Sequence, residues 1–276
     1  MIVRQALEKA YAQLGNKLEA QVLLAYVLGQ SRAWVLAESR FCLTENQEET
    51  FFDLVRRRAK GYPLQYLTGT ANFMGLDFMV TPAVLIPRFD TEVLVETVLE
   101  RLPPAGVQAV DVGTGSGAIA VALKVFRPRW EVWATEISAA SLSVARTNAQ
   151  RHGAEIRFRE GDLLRHLLPA GEAAFDLVIS NPPYLTAAEY QALSPDVLLE
   201  PALALKGGPD GLDLYRRLLP QADQALKPGG LLALEIGWQQ GAALKTLLAG
   251  PSWSAVTVIR DYQELPRVVL AVKAAS

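Results

Sequence analysis

From residue 107 onward the chain alternates short apolar runs with amphipathic stretches, and this alternation narrows the possible folds more than any other feature. Strands are predicted at 107–112, 130–135, 155–159, 175–180 and 230–236. Helices are predicted between and after them at 117–126, 138–151, 209–227 and 238–249. Such repetition points to a parallel sheet with helices on both faces. The end of the chain breaks the pattern. Residues 254–260 and 268–272 read as strands with no helix between them, so they form an antiparallel pair at one edge. The expected class is α/β, with seven mostly parallel strands, an antiparallel edge strand and helices on both faces.

The first part of the chain carries no strand signal. Val3, Leu7, Tyr11 and Leu14 recur at helical spacing, as do Ala20, Leu23, Leu24, Val27 and Leu28 before Gly29. Trp34, Val35 and Leu36 make a short third element. Thr44 with Gln47 predicts a capping box for a fourth helix through Phe51, Phe52, Leu54 and Val55. Residues 1–62 are therefore expected to form a small all-α domain. It holds nothing chemically equipped, so substrate recognition is its natural role. Arg56, Arg57, Arg58 and Lys60 close it, and they have two readings. They are cations favoured beside a helix C-terminus, or a contact for an acidic or RNA-bound partner. Residues 63–84 change period and predict a hairpin linker, with Phe73, Phe78 and Val80 among its apolar positions. The larger domain then runs over 85–276. It opens with a helix through Leu94, Val95 and Val98 that Asp90 or Thr91 can cap.

Composition limits the chemistry. With 27 basic and 29 acidic residues the net charge is −2, which leaves no global electrostatic footprint for nucleic acid. The one cysteine, Cys42, cannot form an internal disulfide or a cysteine zinc cluster. The two histidines, His152 and His166, are too few for a histidine-built metal site and each follows an arginine, so both read as solvated. No metal is expected. The first residues lack a signal-peptide pattern and no apolar run reaches about 18 residues, so a cytoplasmic protein off the membrane is expected.

Four strand ends carry the candidate site. Val110-Asp111-Val112 leads into Gly113-Thr114-Gly115-Ser116-Gly117, a strand, a glycine turn and a helix. Glycine lets the backbone bend and approach a ligand closely, and the helix start supplies free N–H groups. Glu136 ends the next strand, where an acid can accept from both hydroxyls of a ribose, or cap the following helix. Asp162 and Leu163 follow the third strand; the acid can take the exocyclic amine of adenine and the leucine can pack on its ring. The fourth strand ends in Ser180-Asn181-Pro182-Pro183-Tyr184. Two prolines cannot continue a ladder, so they make a stiff lip. Asn181 can accept from an N–H₂ group and donate to a carbonyl at once, and a flat ring can stack beside it. Such a lip suits a planar nitrogen nucleophile.

Asp111 before the glycine turn, together with Asn-Pro-Pro-Tyr after the fourth strand, resembles the seven-strand S-adenosylmethionine-dependent methyltransferases that act on planar nitrogens. Further segments occur in order: Pro63-Leu64-Gln65-Tyr66-Leu67 with Gly69; Leu85-Ile86-Pro87-Arg88 with Asp90, Thr91 and Glu92; Glu200-Pro201; and Gly208 with Asp210, Gly211 and Leu212. This series is similar to the peptide-chain release factor glutamine N5-methyltransferase family over about residues 4–272. The resemblance implies methyl transfer from S-adenosylmethionine, leaving S-adenosylhomocysteine, to the glutamine of a Gly-Gly-Gln loop in class I release factors. It implies a cofactor site of Gly113, Thr114, Gly115, Ser116, Gly117, Glu136, Asp162, Leu163 and Asn181. It also implies a catalytic lip of Asn181, Pro182, Pro183 and Tyr184, with Arg88 and Phe89 as further substrate contacts. In this reading the Asn181 side chain and the Pro182 carbonyl accept from the glutamine N–H₂, while Tyr184 or Pro183 packs on the amide plane. Glu136 stands where many relatives have Asp, Phe89 where many have Pro, and Leu163 where some have an aromatic residue. The alternative is an adenine-N6 methyltransferase acting on DNA or RNA, which shares the cofactor site and the lip. A release factor is the expected partner, no stable nucleic-acid binding is expected, and a monomer is favoured.

Overall fold

The computed structural model describes residues 1–167 and 174–275. The chain divides into two compact units, Met1–Thr70 with Ser194–Leu199, and Ala71–Leu193 with Glu200–Ser276.

The first unit contains α1 (Val3–Leu14), α2 (Lys17–Leu28), α3 (Arg32–Ala37), α4 (Glu45–Ala59) and α5 (Leu64–Thr68). Its boundaries follow local chemistry. Asn16 Oδ1 accepts from the N–H groups of Leu18 and Glu19 at 3.0 and 3.3 Å, which starts α2. Gly29 ends it in the left-handed region at φ 62°. Thr44 and Gln47 form the expected reciprocal box at the start of α4. Val3, Leu7, Leu23, Leu24, Phe51 and Val55 meet in one core. The basic cluster is taken up locally. Arg56 pairs with Asp53 at 3.2 Å, Arg57 lies 4.6 Å from the centre of the Tyr62 ring, and Arg58 grips Glu19 at 2.8 and 3.0 Å. This placement favours the helix-end reading. Residues 194–199 belong to the same unit: Asp196 lies in the field of Arg58, and Pro195 comes within 3.5 Å of where a side chain on Gly61 would begin.

Residues 64–68 correct the hairpin expectation. Leu64 and Leu67 are three apart, so one turn of helix turns both towards the helical core, and Leu67 is buried there. The hairpin itself is confined to β1 (Thr70–Phe73) and β2 (Leu76–Met79). Met74 and Gly75 turn it with φ values of 53° and 76°, the geometry that matches strand twist.

The second unit continues with α6 (Phe89–Arg101), β3 (Gln108–Val112), α7 (Ala118–Phe126), β4 (Glu131–Glu136), α8 (Ala139–Arg151), β5 (Ile156–Glu160) and β6 (Phe175–Ser180). Then come β7 (Leu185–Thr186), α9 (Ala187–Gln191), β8 (Lys206–Gly208), α10 (Asp213–Ala225), β9 (Leu226–Glu235), α11 (Gly241–Leu247), β10 (Trp253–Arg260) and β11 (Pro266–Lys273). Seven strands form one sheet in the order β10-β11-β9-β6-β3-β4-β5. The five strands from β9 to β5 are parallel, and β11 runs antiparallel to both β9 and β10. The reversed strand thus sits one place in from the edge, within the antiparallel pair. A separate short ribbon pairs β7 with β8 in parallel.

Alternation along the strands sorts the core into two layers. Ala109, Leu177, Ile179, Ala233, Val268 and Leu270 face the layer under α6, α7 and α8. Val110, Val178, Leu232, Leu234, Val269 and Ala271 face the layer under α10 and α11. Near-continuous apolar strands of this kind are what a sheet covered on both faces requires. His152, read as solvated, instead lays its ring 5.2 Å from that of Phe78 and meets the Asp77 carbonyl at 2.9 Å. Among the described residues no helix is long and apolar enough to cross a membrane.

Candidate active site

Because β9, β6, β3, β4 and β5 are parallel neighbours, their C-terminal ends lie side by side. Glu235, Asn181, Gly113, Glu136 and Asp162 therefore follow one another along a single rim. Open α/β sheets bind ligands in the crevice beyond such a rim. Here the crevice is a cavity of about 460 Å³ lined by Gly113, Thr114, Gly115, Ser116, Glu136, Asp162, Leu163, Asn181, Pro182, Pro183 and Arg88, among others. Three predicted residues stand outside its lining: Gly117, Phe89 and Tyr184.

The glycine turn uses the left-handed backbone region, where glycine meets no steric clash. Gly113, Gly115 and Gly117 have φ values of 73°, 56° and 83°. A side chain on Gly113 or Gly115 would project into open space, so these two leave a bare backbone cradle. Gly117 does a different job. A Cβ there would lie 3.2 Å from Ala145 Cα, so this glycine lets α7 start close against α8. Thr114 donates to Asp111 Oδ2 at 2.6 Å beneath the turn. The buried Oδ1 of Asp111 has no partner among the described residues, and burial pushes its carboxyl group up to about 7.

Glu136 is buried and already engaged: its oxygens accept from Gly115 N–H and Ser138 N–H, both at 2.9 Å. Ser138 itself caps α8. A carboxylate has about four lone-pair directions, so each oxygen retains room for a hydroxyl donor. Asp162 pairs through Oδ2 with Arg217 of α10, a partner that sequence patterning did not single out. Leu163 holds φ 55°, an unusual conformation for a non-glycine residue, and lines the cavity.

The lip is built as a braced arch. Ser180 donates to the Val112 carbonyl at 2.6 Å, which ties the end of β6 to β3. Asn181 donates through Nδ2 to Thr91 Oγ1 at 3.0 Å, and its Oδ1 has no protein partner among the described residues. Thr91 is not a cap. Arg88 occupies the N-cap of α6, Asp90 pairs with Arg267 at 3.1 Å, and Thr91 is buried inside the first turn. Tyr184 also departs from expectation. Its ring packs in the core below the sheet rim, and its hydroxyl donates to Glu235 Oε1 at 3.3 Å. Burial raises the Tyr184 phenol above its ordinary value, and the ring stands outside the cavity lining. Gln240 Nε2 donates to the Tyr184 carbonyl at 3.0 Å and to the Gly211 carbonyl at 3.2 Å. A Cβ on Gly211 would sit 2.2 Å from the Tyr184 carbonyl oxygen, which explains glycine at that position. Glu200 joins the other two sequence segments: its Oε2 accepts from Ile86 N–H at 2.9 Å and its Oε1 pairs with Arg88. Phe89 is exposed beside this pair.

Comparison with known proteins now decides the family. Residues 3–69 match the PrmC N-terminal domain and residues 88–251 match the methyltransferase small domain. Release factor glutamine methyltransferase of Moorella thermoacetica is 49% identical over 275 residues, covering 96% of this chain and 94% of its own length. The chain belongs to the release factor glutamine methyltransferase family. The Xylella fastidiosa member is 43% identical over 267 residues and covers 96% of both chains. Among solved structures, a methyltransferase from Pyrococcus furiosus superposes with a TM-score of 0.55 at 21% identity, covering 84% of this chain and all of that one. That likeness concerns the fold. Of the sequence segments quoted at the outset, those at 85–92, 200–201 and 208–212 lie in the second unit with the crevice.

Proposed function

We propose that this protein transfers the methyl group of S-adenosylmethionine to the side-chain amide nitrogen of the glutamine in the Gly-Gly-Gln loop of class I release factors. Near-full-length relatives bearing that name support the reaction, and none of those compared carries the adenine reading. The observation that carries the reading is the pose of Asn181. One Nδ2 proton goes to Thr91 and Oδ1 has no protein partner among the described residues, so an acceptor is left for a ligand, and an amide N–H₂ needs acceptors.

The crevice fits the cofactor. The bare cradle at Gly113 and Gly115 leaves room for close approach, Glu136 offers acceptors for ribose hydroxyls, and Asp162 with Leu163 flanks the place for adenine. When bound, S-adenosylmethionine supplies an electrophilic methyl group on a sulfonium. The protein's own part is positioning. Asn181 Oδ1 and the Pro182 carbonyl each accept one N–H of the substrate amide, which fixes the nitrogen and favours the positive charge that builds there. The nitrogen gains the methyl group and releases one of its two protons to solvent. Pro183 lies against the amide plane. Arg88, held by Glu200, forms the wall past which the loop enters. The first unit contacts the rest of the release factor, and the protein works as a monomer in the cytoplasm, where that substrate resides.

Mass spectrometry of an unmodified release factor, incubated with the protein and S-adenosylmethionine, tests this directly. One methyl group should appear on the Gly-Gly-Gln glutamine. Asn181→Ala should lower kcat by on the order of 100-fold while S-adenosylhomocysteine affinity changes little. Methylation of adenine instead of glutamine, or an unchanged kcat in the variant, would overturn the assignment.

A further inference from the structure

Beneath the lip lies a buried carboxyl group that the methyl transfer does not touch. Glu235 closes β9 with 1% of its surface exposed. Its Oε1 accepts from the Tyr184 hydroxyl at 3.3 Å, its buried Oε2 has no hydrogen-bond partner among the described residues, and the Thr91 hydroxyl acts to hold the carboxyl group ionised. The Tyr215 hydroxyl donates to the Glu235 main-chain carbonyl at 2.7 Å. The charged groups facing Glu235 are Arg267 and Asp90, and Arg267 is itself held by Asp90 and Asp261 at 3.1 Å each. On its other side Thr91 Oγ1 accepts from Asn181 Nδ2 at 3.0 Å. Thr91 thus engages Asn181 by a hydrogen bond, and Glu235 keeps one oxygen open to a further donor.

The direction of a hydrogen-bond chain through these groups matters. A hydroxyl has one proton and two lone pairs, and an ionised carboxylate can only accept. A Thr91 that gives its proton to the open oxygen of Glu235 offers Asn181 a lone pair. Only the N–H₂ end of the asparagine amide can meet a lone pair, so Oδ1 turns to the cavity. With the chain reversed, Nδ2 would face the cavity and confront the N–H₂ of an incoming amide, donor against donor.

We propose that Thr91 and Glu235 are positioning residues, which set the polarity of a hydrogen-bond chain so that Asn181 presents Oδ1 rather than Nδ2 to the substrate. This rests on the glutamine reading, because an amide substrate is what makes the acceptor end necessary. It also gives Tyr184 its place, as a second donor that keeps the carboxylate an acceptor.

The test compares wild type with Thr91→Val, Thr91→Ser and Glu235→Gln on an unmodified release factor, from about pH 5.5 to about pH 8.5. Thr91→Val keeps the shape and removes the relay. It should lower kcat by about tenfold or more, with KM and S-adenosylhomocysteine affinity within about twofold. Thr91→Ser should restore most of the loss. Wild-type kcat should rise with pH through the titration of the Glu235 carboxyl group, and Glu235→Gln should flatten that rise. An unaltered kcat in Thr91→Val overturns the proposal. So does a serine variant no better than the valine one, or a loss of kcat matched by loss of cofactor-product affinity. If Thr91→Val fails to fold by circular dichroism, the Glu235→Gln profile decides, and a slope unchanged from wild type overturns the proposal. Absence of glutamine methylation by wild type sinks the substrate reading and this proposal with it. Wild-type methylation with an indifferent Thr91→Val sinks this proposal alone.

Discussion

Asp111 ends a strand in the middle of the sheet, and its carboxyl group is wholly buried with one oxygen unpaired. Burial raises it to about 7, and the nearby charge of Glu136 works in the same direction. An aspartate in the unfolded chain titrates at about 3.9. The folded protein therefore keeps this proton at pH values where the unfolded chain has lost it. The stability it contributes is full below about pH 4, falls as pH rises towards about 7, and is level above that. Asp111→Asn retains an acceptor for Thr114 and removes the titration. In urea unfolding of the ligand-free protein, the midpoint of the variant should fall less than that of wild type between about pH 5 and about pH 8. Parallel curves would show that Asp111 does not titrate in this range. Residues of this kind were legible in part. Asp111, Glu136 and Asn181 announce themselves as polar groups closing apolar strands. Glu235 closes Leu231-Leu232-Ala233-Leu234 with the same signal, but no ligand role attached to it, because its partners come from residues far away in sequence. Thr91 was hidden by an equally good local explanation, helix capping, which only the position of Arg88 at the N-cap removes.

At the scale of elements, the lip is held from three sides: α6 through Thr91, the glycine turn at 207–211, and the start of α11 through Gln240. Stiffness at the lip is thus a property of the loops behind it as well as of its two prolines. Gln240→Ala removes both donors to the Tyr184 and Gly211 carbonyls. It should lower kcat by on the order of tenfold, while S-adenosylhomocysteine affinity by calorimetry stays within about twofold. Equal loss of both would mean that Gln240 supports the whole crevice rather than the lip. The strand–helix alternation was readable because the central strands β3, β6 and β9 carry apolar residues on both faces and the helices between them have their own period. Residues 64–68 were misread because a five-residue helix offers only one turn of periodicity, too little to separate from strand alternation. Gly117 was assigned to the cofactor since all three glycines sit in one motif; only the close approach to Ala145 distinguishes it.

At the scale of the molecule, the chain leaves the second unit once, at Ser194–Leu199, to complete the first. Nothing in those six residues marks such a detour, because Pro195 and Asp196 read as an ordinary turn. Replacing Pro195 by Gly and Asp196 by Ala should raise amide exchange at residues 58–62 in hydrogen-exchange mass spectrometry, with the α1 amides unchanged. Equal protection in the variant would show that the segment rides on the helices without supporting them. The detour also bears on synthesis. A domain made of the first 70 residues could finish folding as soon as it left the ribosome. This one waits for a segment about 130 residues further on, which at ordinary elongation rates is roughly 6–26 s. During that interval the helices stand without their last piece, so residues 71–193 of the second unit are synthesised before the first unit is complete.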